Sequence, residues 1–258
     1  MDKNMFLILL FVHIVGDFYL QTENVAEKKK SHFSYLVLHF LSIILLTIAS
    51  VFAFYKKEML WYLAAFIISH ILIDTIKYII TSKMANKNTS GRLYWIDQML
   101  HIAVVLIISI IYSANNSLLD RWHIFSFSGN FPTDIAKYTL IVLMILKPTN
   151  ITFRELFSHI KPNSREVNDD FNNLKIVGVS IKEETYNIGK LVGNMERLLV
   201  VILLSLGQYT AIGLVFTAKS ITRYEKITKD KVFAEYYLLG TLFSMLATII
   251  VFVALYNL

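Results

Sequence analysis

Residues 59–81 read MLWYLAAFIISHILIDTIKYIIT, an apolar run interrupted by His70, Asp74 and Lys77. The run is longer than the roughly 20 residues a helix needs to cross the hydrocarbon core of a bilayer. Ionisable groups are expensive in lipid, so the stretch reads as a transmembrane helix that turns its polar face toward other protein. Similar apolar runs recur near 5–21, 35–55, 94–113, 134–148, 191–217 and 234–257.

Composition agrees. Of 258 residues, 55% are hydrophobic, 14% aromatic and only 17% charged, where a soluble domain carries about 25% charge. Mean hydropathy is +0.54. An extracellular scaffold, a disordered chain and a soluble enzyme are excluded, and an all-α polytopic transmembrane helical bundle of six or seven spans is expected. The fifth run, 134–148, is short, contains Lys137 and closes on Lys147-Pro148, so it crosses thinly, re-enters or lies in the interface. The first run holds His13 and Asp17 with no small-residue cleavage site after it, and reads as a retained first helix rather than a signal peptide. Three regions are expected: a four-helix membrane core over 1–113, the doubtful fifth span with a polar, cytoplasmic insert over 114–190, and a two-helix membrane region over 191–258.

Lys and Arg number 25 against 19 Asp and Glu, a net charge of +6. Spread over short loops, these cations read as anchors to lipid headgroups rather than as a nucleic-acid surface. Lys28-Lys29-Lys30, Lys83, Lys87, Arg92 and the basic insert 148–190 place their loops in the cytoplasm and the N-terminus outside. Five cations in 218–233 conflict with this scheme, because seven full crossings would put that loop outside. The insert, with Pro148, Pro162 and Asn168-Asp169-Asp170, is too short for its own core. Its Gly189-Lys190 pair lacks the upstream glycine of a phosphate-binding loop. There is no cysteine, so disulfides, iron–sulfur clusters and thiolate chemistry are excluded, and any metal must be held by nitrogen and oxygen.

The first four runs carry most of the information. They hold His13 and Asp17, then His39, then His70 and Asp74, then Asp97 and His101. Three of these helices place a His and an Asp four residues apart, which puts both side chains on one helix face. Consecutive spans run antiparallel, so six of the seven groups fall in one leaflet and His70 lies a turn deeper. His13-Ile-x-x-Asp17 and His70-Ile-x-x-Asp74 also form a weak repeat, suggesting two helical hairpins about a common axis. Three unpaired Asp within the membrane would cost roughly 8 to 10 kcal/mol on insertion scales. Mutual hydrogen bonds, Lys77, water in a cavity or a metal ion must compensate.

Imidazole and carboxylate are ligands for Zn, Mn or Fe(II). His13, Asp17, His39, His70, Asp74 and His101 are therefore candidate ligands for one or two divalent ions. Asp97 is the candidate general base and Lys77 a group that orients an anionic headgroup, or else a cation snorkelling near a helix end. Hydrolysis of a lipid-linked ester, amide or phosphate follows, with membrane lipids and that lipid-linked substrate as partners. A proton- or cation-coupled transporter would use the same groups as a relay, and a non-catalytic scaffold or sensor would use them as a hydrogen-bonded lock between helices. Bis-histidine haem would not need three carboxylates. An enzyme requires metal at the site, a transporter polar access from both sides, and a scaffold requires every His and Asp to be satisfied by another side chain.

At these residues the chain resembles an uncharacterised family of polytopic bacterial membrane proteins with an H-x-x-G-D-F-x-x-Q signature, matched by His13, Gly16, Asp17, Phe18 and Gln21. The resemblance continues through His39, His70, Asp74, Lys77 and Asp97-Gln98-x-x-His101. It also reaches Gly193-x-x-Glu196-Arg197, Ala218-Lys219-Ser220, Arg223, and Ala234-Glu235-Tyr236 to Gly240-Thr241. It implies a multi-pass protein of the bacterial cytoplasmic (inner) membrane and carries no function. Residue style alone is similar to the integral-membrane metal-dependent hydrolases, an analogy without shared motifs. Glu196 and Arg197 read either as juxtamembrane ion-pair formers or as part of a lid or headgroup site. Gly189-x-x-x-Gly193 reads as a close-packing stripe, Lys28-Lys29-Lys30 as an anchor, and His32, His123 and His159 as solvated.

Overall fold

A computed structural model describes residues 3–29, 32–53, 59–83, 90–115, 131–157 and 181–258. Lys30, Lys87, His123, His159, Pro162 and Asn168-Asp169-Asp170 lie outside the described residues. The elements are α1 (Lys3–Ile14), which runs on into a π-helical segment Val15–Leu20, then α2 (Glu23–Lys28), α3 (Phe33–Ala53), α4 (Met59–Lys83) and α5 (Ser90–Asn115). They continue with α6 (Phe131–Phe157), α7 (Ile181–Ser205), α8 (Tyr209–Thr222), α9 (Tyr224–Lys229) and α10 (Lys231–Tyr256). No strand occurs among the described residues. Phe33–Ser50, Met59–Lys83, Gly91–Asn115 and Lys231–Tyr256 are long and apolar enough to cross a membrane, and Asn4–Leu20 is a shorter apolar helix. The described residues are all helical, with four helices long and apolar enough to cross a membrane, and the chain divides into two compact units, Met1–Pro148 and Thr149–Asn257.

In the first unit, α1 packs on α3, α3 on α4, α4 on α5, and α5 back on α1, closing a ring of four helices. The burial is inverted relative to a soluble bundle. Leu45, Ile68 and Leu72 are 65%, 67% and 58% exposed, while the four ring histidines are no more than 1% exposed. Lipid outside and polar groups inside give this pattern, because a hydrocarbon solvent rewards neither apolar burial nor polar exposure. The first run is the exception, since it is apolar and buried on every side: Met5, Leu9, Val12 and His13 are all fully buried.

Gly16 is what allows α1 to approach α3. A Cβ at this position would lie 2.1 Å from Ile43 Cδ1, and Ile43 is itself fully buried. Gly16→Ala is therefore expected to destabilise the protein by about 1–3 kcal/mol through overpacking. It should also weaken whatever binds at the adjacent Asp17. Thermal unfolding in detergent checks this, and an unchanged midpoint would refute the tight approach.

The fifth run is longer than its sequence suggests. α6 continues through Pro148 to Phe157, and Tyr19 Oη donates to Leu143 O at 2.9 Å. The boundary between the two units falls at Pro148, where the ring and the missing N–H weaken helix continuity.

In the second unit, the continuous span expected over 191–217 is two helices. Gly207 has φ +69°, Gly207 N donates to Leu204 O at 3.1 Å and Gln208 N to Leu203 O at 2.8 Å. This is the Schellman arrangement, in which a residue in the left-handed region ends a helix; glycine adopts it without a Cβ penalty. α7 and α8 pack against each other, and Lys219 pairs with Glu196 across them. The chain thus reverses at Gly207 into a helical hairpin. Elsewhere in the unit the ring of Phe153 fills the space over Gly240, where a Cβ would lie 3.3 Å from Phe153 Cζ, and lies beside Tyr236 and Phe243.

Candidate metal centre

The four-helix ring brings all seven His and Asp groups together. α1 with its π-helical segment supplies His13 and Asp17, α3 supplies His39, α4 supplies His70 and Asp74, and α5 supplies Asp97 and His101. The i, i+4 spacing puts each pair on the inner face of its helix, and ring closure turns the faces toward one axis. Asp17 sits in the π-helical segment, whose i→i+5 pattern is a distortion often found at functional sites.

Four atoms lie closest. His39 Nε2 is 3.4 Å from Asp17 Oδ1 and 3.0 Å from Asp74 Oδ2, while His70 Nε2 is 3.3 Å and 3.7 Å from the same two oxygens. The two Nε2 atoms are 3.5 Å apart. A tetrahedral ion about 2.0–2.1 Å from each donor needs donor–donor edges of about 3.3–3.4 Å. The five separations scatter around that value, so these donors fit a divalent ion in composition and in spacing.

Around this set, His13 Nδ1 is 3.7 Å from Asp17 Oδ2, and the His13 ring stacks on His101 at 5.0 Å. His70 and His101 rings are 4.2 Å apart. Three overlapping groups could each hold an ion: His13, Asp17 and His70; His39, His70 and Asp74; and Asp74, Asp97 and His101. His70 and Asp74 are each shared by two of them. His101 Nδ1 is 2.8 Å from Asp97 O. A carbonyl only accepts, so Nδ1 carries the hydrogen and Nε2 keeps its lone pair, the usual way a metal-binding imidazole is oriented.

The groups satisfy one another only in part. Asp17 Oδ1 and Asp74 Oδ2 have His39 and His70 Nε2 beside them, but both nitrogens of His13, His39 Nδ1, His70 Nδ1, Asp97 Oδ1 and His101 Nε2 are buried without a hydrogen-bond partner. A helix-locking network would be expected to close its hydrogen bonds.

Asp97 and Lys77 form a distinct pair. Lys77 Nζ donates to Asp97 Oδ2 at 2.5 Å, and Gln98 Nε2 donates to the same oxygen at 3.1 Å and to Asp17 Oδ2 at 3.4 Å. Lys77 is thus tied to a site carboxylate. Gln21 Oε1 accepts from Lys29 Nζ at 3.3 Å, and that ammonium lies 3.7 Å from Asp74 Oδ2. Lys29, read as a lipid anchor within Lys28-Lys29-Lys30, instead turns back over the site. Its distance in sequence from Asp74 leaves no periodic signal that would place it there.

Glu196 and Arg197 belong to the second unit, and so do the partners they show. Glu196 pairs with Lys219. Arg197, 5% exposed, donates from Nη1 to Ser244 Oγ at 3.1 Å and from Nη2 to Asn150 Oδ1 at 2.7 Å and Asn194 Oδ1 at 2.6 Å. Among the described residues, a Cβ on Gly189 would meet nothing within 4 Å, and one on Gly193 would meet the Arg197 guanidinium at 3.7 Å. His32 is exposed, as expected of a solvated residue.

Residues 5–126 match a family described as a protein of unknown function (DUF3307). The matched stretch contains all seven His and Asp groups with Gln21, Lys77 and Gln98, so the site lies wholly within a region characteristic of that uncharacterised family. The C-terminal motifs, from Gly193 onward, lie outside it. No curated protein and no solved structure matches the chain.

Proposed function

We propose that the chain is a membrane-embedded, metal-dependent hydrolase acting on a lipid or lipid-linked substrate near the cytoplasmic face of a bacterial inner membrane. One observation carries the reading: seven buried His and Asp groups converge with unmet donor and acceptor atoms, four of them at the spacing of a tetrahedral ion. His39, His70, Asp17 and Asp74 would hold the first ion, with His13 and His101 beside it. A bound Zn, Mn or Fe supplies a Lewis acid and brings the pKa of water down toward about 7. Asp97 Oδ1, buried and without a hydrogen bond, is the group that takes the proton of the attacking water, while Lys77 and Gln98 hold its other oxygen in place. The contact of Lys29 with Asp74 puts the site at the level of a lysine-rich loop, which supports the cytoplasmic side.

The hairpin supports six crossings, by α1, α3, α4, α5, α6 and α10. From Arg197 to the Gly207 reversal the chain rises about 15 Å, half the hydrocarbon thickness, and α8 is about 21 Å long, too short to span. A re-entrant α7–α8 returns Lys219, Arg223, Lys226, Lys229 and Lys231 to the cytoplasm, removing the conflict that seven crossings create. With no native cysteine, Thr228→Cys should react with an impermeant maleimide in inverted membrane vesicles and stay unlabelled in intact cells. Labelling in intact cells refutes the re-entrant arrangement.

The functional reading is tested by elemental analysis of the purified, folded protein in detergent. One or two equivalents of Zn, Mn or Fe are expected. A folded protein that takes up no stoichiometric metal when supplied with each of these ions overturns the hydrolase.

A further inference from the structure

We infer that the substrate is a lipid phosphate monoester and that Lys29, with Lys77, binds its phosphoryl oxygens; this rests on the metal-hydrolase reading above. The ligand atoms are deep, with the four central side chains at most 7% exposed, whereas the side chains of Lys29 and Lys77 are 14% and 26% exposed and form the rim. Among the described residues Lys29 is under-used. Its ammonium has three donors, and its contacts there are Gln21 Oε1 at 3.3 Å and Asp74 Oδ2 at 3.7 Å, both longer than the 2.7–2.9 Å of a charge-assisted hydrogen bond. Beside it, Gln21 Nε2 is buried without a hydrogen-bond partner. The rim therefore offers donors in excess, which suits a ligand whose oxygens only accept.

Charge leads to the same class. With neutral histidines, three carboxylates against two ammoniums leave one negative charge at the site, and a single divalent cation reverses it to one positive. In a low-dielectric setting a neutral carboxyl ester or amide leaves that charge unbalanced, while a phosphate monoester carrying a single negative charge offsets it. Hydrolysis joins the oxygen of water to phosphorus and breaks the bond from phosphorus to the lipid oxygen. The proton taken by Asp97 passes to the departing alkoxide, so the products are a lipid alcohol and inorganic phosphate. Phosphoryl transfer asks mainly for positioning and charge stabilisation, which a cationic rim supplies.

Phosphatidate tests the choice within one molecule, since it holds two carboxyl esters and one phosphate monoester. Purified protein in detergent is supplied with Zn, Mn or Fe, its metal content is measured, and the products are separated. Inorganic phosphate with diacylglycerol is expected, at a kcat/KM well above that for p-nitrophenyl phosphate. Lys29→Gln should raise KM for phosphatidate at least about tenfold with metal content unchanged. Metal-loaded protein that releases fatty acid, or neither product, overturns the phosphate assignment and leaves the metal centre standing. Equal kcat/KM on the soluble ester overturns the lipid assignment, an unchanged KM in Lys29→Gln overturns the role of Lys29, and a folded protein without metal removes the underlying reading as well.

Discussion

His70→Ala is expected to abolish metal binding and hydrolysis together. His70 belongs to two of the three potential ion-binding groups and lies within 3.7 Å of His39, Asp17 and Asp74. Removing it takes one donor from the tetrahedral set and one bridge toward His13. Losing a bound ion removes several kcal/mol of transition-state stabilisation, so activity should fall about 10³-fold or more. Metal content should drop from stoichiometric to below about a tenth of an equivalent. His70 Nε2 lies 3.3 Å from Asp17 Oδ1, so the variant also loses that contact and its folding is checked by thermal unfolding; a folded variant with full metal content would remove His70 from the site.

Asp97→Asn separates the base from the ligands. The substitution keeps an acceptor for Lys77 and Gln98 at the position of Oδ2 but takes away the anionic Oδ1, which is buried and has no hydrogen bond. If Asp97 is the base, kcat falls about 10²–10⁴-fold while metal content changes little. Loss of a full equivalent of metal would instead make Asp97 a ligand of a second ion with Asp74 and His101, and unchanged kcat would dismiss it from proton transfer. His70→Ala and Asp97→Asn thus give opposite metal readouts and the same loss of activity.

Much of this was legible in the residues themselves. Polar groups within apolar runs of bilayer length set the class, because no soluble fold hides so much apolar surface. The His and Asp spacing set the inner face of each helix, because 3.6 residues per turn fixes which side chains share a face. Antiparallel order then put the groups at one level. Hairpin α7–α8 was not legible in the continuous run 191–217, because an apolar run carries no sign of whether a helix continues or folds back until Glu196 and Lys219 meet.

What the sequence by itself determined is local: the helices, their polar faces and the seven groups that must avoid lipid. The tertiary structure decided what those groups meet. It enclosed α1 among its neighbours, because Gly16 lets α3 come close, and it turned Lys29 over Asp74 although the two are far apart along the chain. It also left an unmet atom on all four histidines and on Asp97. Periodicity constrains only neighbours on one helix, whereas separations between helices depend on packing, and the donor spacing that suits an ion exists only once four helices close into a ring.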